Sequence, residues 1–261
     1  MRLAYYQVDA FASSIFTGNP AGVCLLEQWM GDSMLQGIAG ENNLSETAFL
    51  VRNSTGYDLR WFTPATEVDL CGHATLASAF VIFNFLGWQE KDINFDTRKS
   101  GRLTVTREGD LFLMDFPSRP PSATKCNSGL GGVFGKQPLE AYTSAEDLFF
   151  VFGSEEEIRH LKPNPVELAK MDCRGIIVTA PGFSYDFVSR FFAPRVGVPE
   201  DPVTGSAHCV LIPYWARRLG KTSLIAYQCS KRGGEVVCVD RGNRVSIGGR
   251  AVLYSQGTIN L

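Results

Sequence analysis

The longest apolar stretch of the chain covers residues 74–86, where nearly every position is apolar or small. A helix that is apolar all round is a buried helix, so this segment predicts one at the centre of a fold. Around it the pattern changes to short runs typical of strands, at 3–8, 21–26, 46–51, 58–62, 93–96, 103–107 and 111–116. Turn chemistry parts them, as in Phe16-Thr-Gly-Asn-Pro20, Asn53-Ser-Thr-Gly-Tyr57, Ser100-Gly101 and Glu108-Gly109. One amphipathic helix interrupts the series: Asp32 can cap a run to about residue 41 that puts Met34, Leu35, Ile38 and Ala39 on one face. The strand at 46–51 opens on an acid, which places Glu46 at its mouth and not in its middle.

A stretch rich in Pro, Ser and Gly at 117–135 separates this from a second, similar series. Strands are expected near 148–152, 175–179, 186–192, 224–228, 235–239, 245–247 and 252–254. Short helices are expected at 155–161 and 165–171, and a long one from Ser206 to about Leu219. The two long helices are entered alike. Phe62-Thr-Pro64, Glu67, Asp69 and Cys71-Gly-His-Ala74 precede the first; Phe192-Ala-Pro194, Glu200, Asp201 and Thr204-Gly-Ser-Ala207 precede the second. Such an echo is the trace of a duplicated half-molecule. The expected fold is therefore α+β, with two similar halves, each a central buried helix wrapped by a mostly antiparallel sheet. The first half takes residues 1–116, completed by the C-terminal strand 252–261, and the second takes 117–251. The glycine-rich segment 129–135 follows no strand and does not fit G-x-G-x-x-G, so it is expected to be a flexible loop.

At 261 residues the chain is long enough for two such halves. With 25 basic against 27 acidic side chains and no run of like charge, it carries no electrostatic footprint for nucleic acid or a membrane surface, and the expected partner is a small molecule. The first residues lack the apolar core of a signal peptide and no stretch is long enough to span a bilayer, so a cytoplasmic protein is expected. The seven cysteines, Cys24, Cys71, Cys126, Cys173, Cys209, Cys229 and Cys238, include no C-x-x-C pair. That argues against a disulfide framework or a zinc ribbon and for buried, reduced packing residues. The sequence has no P-loop, no G-x-S-x-G and no H-E-x-x-H, so phosphoryl transfer, serine hydrolysis and zincin chemistry lack their signatures.

Two of the three histidines fall inside the repeat. His73 stands at a helix start, where a functional role is favoured; His208 lies a turn further in and reads as a hydrogen-bonded packing residue. Asp201 alone would be a turn former, yet Glu200, Thr204 and Ser206 share its turn just ahead of a helix. Acids gathered at a helix N-terminus are pulled in opposite directions, by the helix dipole and by each other, and that tension yields usable acid/base groups. The helix starts at Gly72-His73-Ala74 and Thr204-Gly205-Ser206 also offer backbone N–H groups to a carboxylate. Gln228, Ser230 and Lys231-Arg-Gly-Gly234, a strand end with a cation and a flexible turn, and Asn19 with Pro20 are an ordinary hairpin and a turn by default.

Six segments taken together carry more information: Asn43-Leu-Ser-Glu-Thr-Ala-Phe49, Arg60 to Pro64, Glu67 to Ala77, Phe192-Ala-Pro194, Glu200 to His208 and Arg232-Gly-Gly234. With Phe16 to Ala21 added, they resemble, in order and over essentially the whole chain, the phenazine-biosynthesis PhzF-like isomerase family. The resemblance implies a fold like that of diaminopimelate epimerase, with the site in the cleft between the halves. It implies a cofactor-free, metal-free isomerase in which Glu46 moves a proton between carbons of a small carboxylate, beside His73, Asp201 and Ser206. Substrate contacts are expected at Asn19, Gly72, Ala74, Thr204, Gly205, Arg232 and Gly233, and a homodimer is expected by analogy. Epimerases of this fold use two opposed thiols. Cys71-Gly72 looks like the place of the first, but Thr204-Gly205 stands at the second, which argues against two-thiol racemisation.

Two other classes stay open at this point. A zinc-dependent hydrolase would use Cys71, His73, His208 and Asp201, whose types suit zinc but whose spacing is weak. A non-catalytic small-molecule or protein-binding module would keep the fold without turnover, against which stands the joint presence of Glu46, His73, Asp201 and Ser206.

Overall fold

The computed structural model describes residues 1–125, 129–144 and 146–261; Cys126 and the 126–128 part of the expected linker lie outside the described residues. The chain divides into two compact units, Met1–Asp115 with Gly248–Leu261, and Phe116–Ile247. Among the described residues no helix is long and apolar enough to cross a membrane.

The first unit begins with β1 (Arg2–Ala10), β2 (Asn19–Leu26), α1 (Asp32–Asn42), β3 (Glu46–Arg52) and β4 (Gly56–Phe62). It continues through β5 (Glu67–Val68), α2 (Gly72–Phe85), β6 (Asp92–Thr97), β7 (Arg102–Glu108) and β8 (Leu111–Pro117). β1 pairs antiparallel with β2 on one side and with the C-terminal strand Ala251–Asn260 on the other. β2 and β3 run parallel across α1, with Ala21 opposite Glu46. β4 is antiparallel to β3, and α2 then crosses over to β6, parallel to β4. β6, β7 and β8 finish the sheet as an antiparallel meander. α2 packs on β1, β2 and β3 with Leu76, Val81 and Ile82 fully buried, each worth roughly 2 kcal/mol of apolar burial. Its buried hydroxyls are satisfied within the helix: Thr75 donates to the Cys71 carbonyl and Ser78 to that of Ala74, both at 2.7 Å. Gly87, at φ 69°, lies just beyond the helix end at Leu86, in the left-handed region that favours glycine.

The second unit repeats this order. β9 (Ser122–Thr124), α3 (Leu130–Phe134), β10 (Glu140–Ser144), β11 (Asp147–Val151), α4 (Glu155–His160) and α5 (Pro165–Ala169) come first. β12 (Gly175–Pro181), β13 (Phe187–Ala193), β14 (Val198–Asp201), α6 (Gly205–Leu219), β15 (Ser223–Gln228), β16 (Gly234–Asp240) and β17 (Arg244–Gly249) follow. β11 and β12 are parallel across α4 and α5, β12 and β13 antiparallel, and β13 and β15 parallel across α6. The duplication read from the two helix entries is thus a duplication of topology. α6 holds a proline in its interior, Pro213, which cannot donate to the carbonyl four residues back. That carbonyl, of Cys209, instead accepts from the backbone N–H of Arg119 at 2.9 Å.

One expectation needs correcting. The segment expected as a flexible loop at 129–135 contains α3, because Leu130 and Phe134 bury together and Phe134 packs its ring on Phe150 and Phe152 at 5.3 and 5.7 Å.

Each unit carries a bidentate arginine–glutamate pair beside the loop that delivers its long helix. In the first, Arg60 on β4 reaches Glu67 through Nε and Nη2 at 2.7 and 2.8 Å, with its guanidinium over the Phe62 ring at 5.0 Å. In the second, Arg190 on β13 reaches Glu200 at 2.7 and 3.0 Å, over Phe192 at 4.9 Å. The planar fork suits a carboxylate, and the aromatic face holds the cation where water is scarce. Arg60 also donates to Asp32 at the start of α1, whereas Arg190 donates to the carbonyls of Ile158 and Leu161 at the end of α4. The same device therefore ties the crossover helix to the sheet in both units.

Candidate active site

In the first unit the start of β3 brings Glu46 beside the first turn of α2. Glu46 Oε2 lies 3.1 Å from His73 Nε2, and on the other side of the ring Asn19 Nδ2 lies 3.2 Å from Nδ1. Cys71 Sγ is 3.5 Å from the same Nδ1. Register explains the meeting: Asn19 opens β2, Ala21 faces Glu46 across the parallel ladder, and His73 is the second residue of α2. Asn19 and His73 are buried, and Glu46 keeps 18% of its side chain exposed. Glu46 Oε2 is buried, and the imidazole nitrogen of His73 is the group within ion-pair distance of it.

Burial alone would push the His73 ring toward neutrality, but the sulfur of Cys71 and the carboxylate of Glu46 outweigh it and hold its pKa well above the ordinary value. Cys71 itself is pushed up to about 11, first by burial and then by the Glu46 charge, so at pH 7 it is a neutral thiol. With the thiol neutral, the Glu46 carboxylate is the charge that favours the protonated ring. Glu46, Cys71 and His73 also form a group whose ligand-type atoms lie within 4.8 Å of one another, and these are the residues that could hold a metal. His208, included in the zinc set expected from sequence, is not part of that group.

In the second unit Asp201 ends β14, and Thr204 caps α6 from an extended conformation. Thr204 Oγ1 donates to Asp201 Oδ2 at 2.5 Å. The fully buried Gln228 clasps this loop: its Oε1 accepts from the Thr204 N–H at 2.9 Å and its Nε2 donates to the Asp201 carbonyl at 2.8 Å. Ser230 donates to the Pro202 carbonyl at 2.8 Å and accepts from the Gly233 N–H at 3.0 Å, so the hairpin tip that carries Arg232 and Gly233 is tied to the same loop. Glu200, which the sequence grouped with Asp201, is committed to Arg190.

His208 is a packing residue. It is fully buried, its Nδ1 donates to the Thr204 carbonyl at 2.8 Å, and burial pulls its pKa down to about 4. Gly72 and Gly205 are the first residues of their helices, and Ala74 is buried in the first turn of α2. By helix geometry the first N–H groups there have no partner within the helix.

Ser206, the second residue of α6, accepts a hydrogen bond from Arg174 Nη2 at 3.2 Å. Arg174 in turn is gripped by the buried Asp147, Nε to Oδ1 at 2.9 Å and Nη2 to Oδ2 at 2.5 Å. Sequence reasoning missed Arg174, Asp147, Arg60 and Arg190. A signal existed for two of them, since an arginine stands two residues before the phenylalanine in both Arg60-Trp-Phe62 and Arg190-Phe-Phe192. A hollow of about 600 Å³ lies beside Arg174, Asp147 and Arg195. Neither Ser206 nor Asp201 lines it, and Arg195 is engaged there by Asp172 at 2.7 Å.

The chain matches the family of phenazine biosynthesis-like proteins, PhzC-PhzF, over residues 8–257. It is 51% identical to an uncharacterized isomerase of Pseudomonas aeruginosa over 261 residues, which covers all of both chains. Among solved structures, the PhzF family phenazine biosynthesis protein of Enterococcus faecalis is 48% identical, with a TM-score of 0.98 over the whole of both chains. A hydroxyproline epimerase from Agrobacterium vitis, 9% identical, shares the fold with a TM-score of 0.59 over 99% of this chain and 92% of that one. The duplicated epimerase-type fold, the helix starts that present His73 and Ser206, and these likenesses lead to one conclusion: the chain belongs to the PhzF-type family of phenazine biosynthesis-like proteins.

Proposed function

We propose that the protein is an isomerase that moves a proton between carbons of a small carboxylate-bearing metabolite, with Glu46 as the acid/base and without a cofactor. The observation that carries this reading is the Glu46–His73 pair: a largely buried carboxylate 3.1 Å from an imidazole whose pKa is raised. Glu46 takes the proton from one carbon, and the same oxygen returns it to another on the same face of the substrate. His73 stays charged beside it and balances the carboxylate that proton return regenerates. Asp201 and Ser206, with the N–H groups at the start of α6, serve the substrate's polar end. Cys71, a neutral thiol, packs beneath His73 in this reading.

Losing a positioned acid/base typically costs ~10² to 10⁴ in rate. The test is incubation with a metabolite pool in D₂O, followed by mass spectrometry. A compound should gain deuterium with the wild-type protein, and Glu46→Gln should slow that gain by at least 10²-fold. Near-normal turnover by the variant would remove Glu46 from the mechanism, and no labelled compound at all would favour a binding module.

The Glu46, Cys71 and His73 cluster favours a second reading, metal-assisted hydrolysis with those three as ligands. Metal analysis of the purified protein separates the two, because stoichiometric zinc lost in Cys71→Ser would displace the isomerase reading.

A further inference from the structure

The duplicated topology allows the two helix starts to be compared residue by residue, each within its own unit. In the first unit Thr47 faces Phe62, and in the second Ile176 faces Phe192. The place of Glu46 is therefore taken by Gly175. No side chain fits there: a Cβ on Gly175 would come within 2.2 Å of the Phe191 ring and 3.0 Å of Asp147 Oδ1. The side chain at this strand mouth comes instead from Arg174, one residue earlier. His73 and Ser206 are likewise matched, each the second residue of its long helix. Both units thus set a charged group from a strand mouth against the second residue of the helix, Glu46 with His73 at 3.1 Å and Arg174 with Ser206 at 3.2 Å.

The chemistry of the second pair differs in a way that fixes the direction of its hydrogen bonds. A guanidinium only donates, so the Ser206 oxygen is the acceptor and its own proton is left to point elsewhere. Arg174 is the one hydrogen-bond partner of the Ser206 hydroxyl among the described residues. The guanidinium cannot turn away, because Asp147 holds it bidentately and its face lies 5.7 Å from the Phe191 ring. With Asp147 neutralising it, the group is poorly suited to take an anion by charge. Its effect passes through the hydroxyl that it polarises and orients.

We propose that Arg174, locked by Asp147, is a positioning residue that makes the Ser206 hydroxyl a dedicated hydrogen-bond donor to an anionic oxygen of the substrate. The inference rests on the isomerase reading in that Ser206 serves the substrate's polar end.

The test uses the compound that the wild-type protein labels in D₂O. Ser206→Ala should lower kcat/KM by ~10²-fold, the usual loss for one oxyanion donor, and Arg174→Ala by roughly ten-fold. In the Ser206→Ala background, Arg174→Ala should cost less than about two-fold, since the two act as one unit. Millimolar guanidinium should restore Arg174→Ala and leave Ser206→Ala unchanged, which a merely structural role would not produce. Asp147→Asn, which keeps the shape, should show a partial loss and serves if Arg174→Ala fails to fold. Equal losses in both backgrounds, full activity of Arg174→Ala or no rescue would overturn the proposal. If the wild-type protein labels nothing, the isomerase reading fails first, and the same variants are scored on benzoate affinity by NMR titration. A shared, non-additive loss then supports the donor role, and an affinity that is absent or unchanged overturns it.

Discussion

Lowering the pH from 7 to 4.5 should loosen the start of α6 through one side chain, His208. The imidazole is fully buried, with Nδ1 bonded to the carbonyl of the capping Thr204 and the ring 6.1 Å from that of Phe187. Its folded pKa of about 4 lies below the ordinary 6.5, so the unfolded or locally opened state takes up a proton first. Above pH 6.5 the group contributes nothing to the pH dependence; stability is lost as the pH falls from 6.5 toward 4. Linkage over pH 7 to 4.5 amounts to about 2.4 kcal/mol, or roughly sixty-fold in the opening equilibrium. His73 works in the opposite sense, because its raised pKa gives stability that is present at low pH and lost as the pH rises through the folded value. Subtracting a His208→Gln variant removes that contribution together with those of the carboxylates. The assay is hydrogen exchange with mass spectrometry on peptides from 205–219, corrected for the intrinsic effect of pH. Protection in the wild-type protein should fall roughly sixty-fold more than in the variant. Identical pH slopes for the two proteins would refute the assignment of a buried, neutral His208.

Two further expectations concern the segments that lead into the two long helices. Gln228→Leu removes the acceptor of the Thr204 N–H and one donor to the Asp201 carbonyl, and should cost roughly 2 kcal/mol in thermal or urea unfolding; an unchanged midpoint would show that the clasp is dispensable. Cys71, with its pKa pushed to about 11, should alkylate with iodoacetamide at pH 7.5 roughly 100-fold more slowly than a free thiol. Peptide mapping reads this directly, and labelling at the free-thiol rate would contradict its burial.

Much of the fold was legible because its signals are local. The all-apolar run that became α2 admits few environments, and the acid at the start of the 46–51 run marks the mouth of β3 whatever surrounds it. The twin entries ahead of α2 and α6 disclosed the duplication, since a repeated unit repeats its turn chemistry. Other elements were not legible. β10 (Glu140–Ser144) and β14 (Val198–Asp201) are short and broken by polar residues, and they exist because a neighbouring strand offers its backbone. α3 looked like a glycine-rich loop until Leu130 and Phe134 found a core to fill.

By itself the sequence put forward the candidate residues whose side-chain chemistry is written into a motif: Glu46, His73, Asp201 and Ser206. Only the tertiary structure decided their states. It paired Glu46 with His73 and raised the imidazole's pKa, left Cys71 a neutral thiol and made His208 a neutral packing residue. It also drew in Arg174 and Asp147, whose sequence neighbourhoods carry no motif, and set Gln228, from the strand end before Lys231-Arg-Gly-Gly234, on the Thr204 loop. The physical reason is that residue type sets what a group can donate or accept, whereas its charge and direction depend on burial and on partners brought close by strand register, some of them more than twenty residues away in the chain.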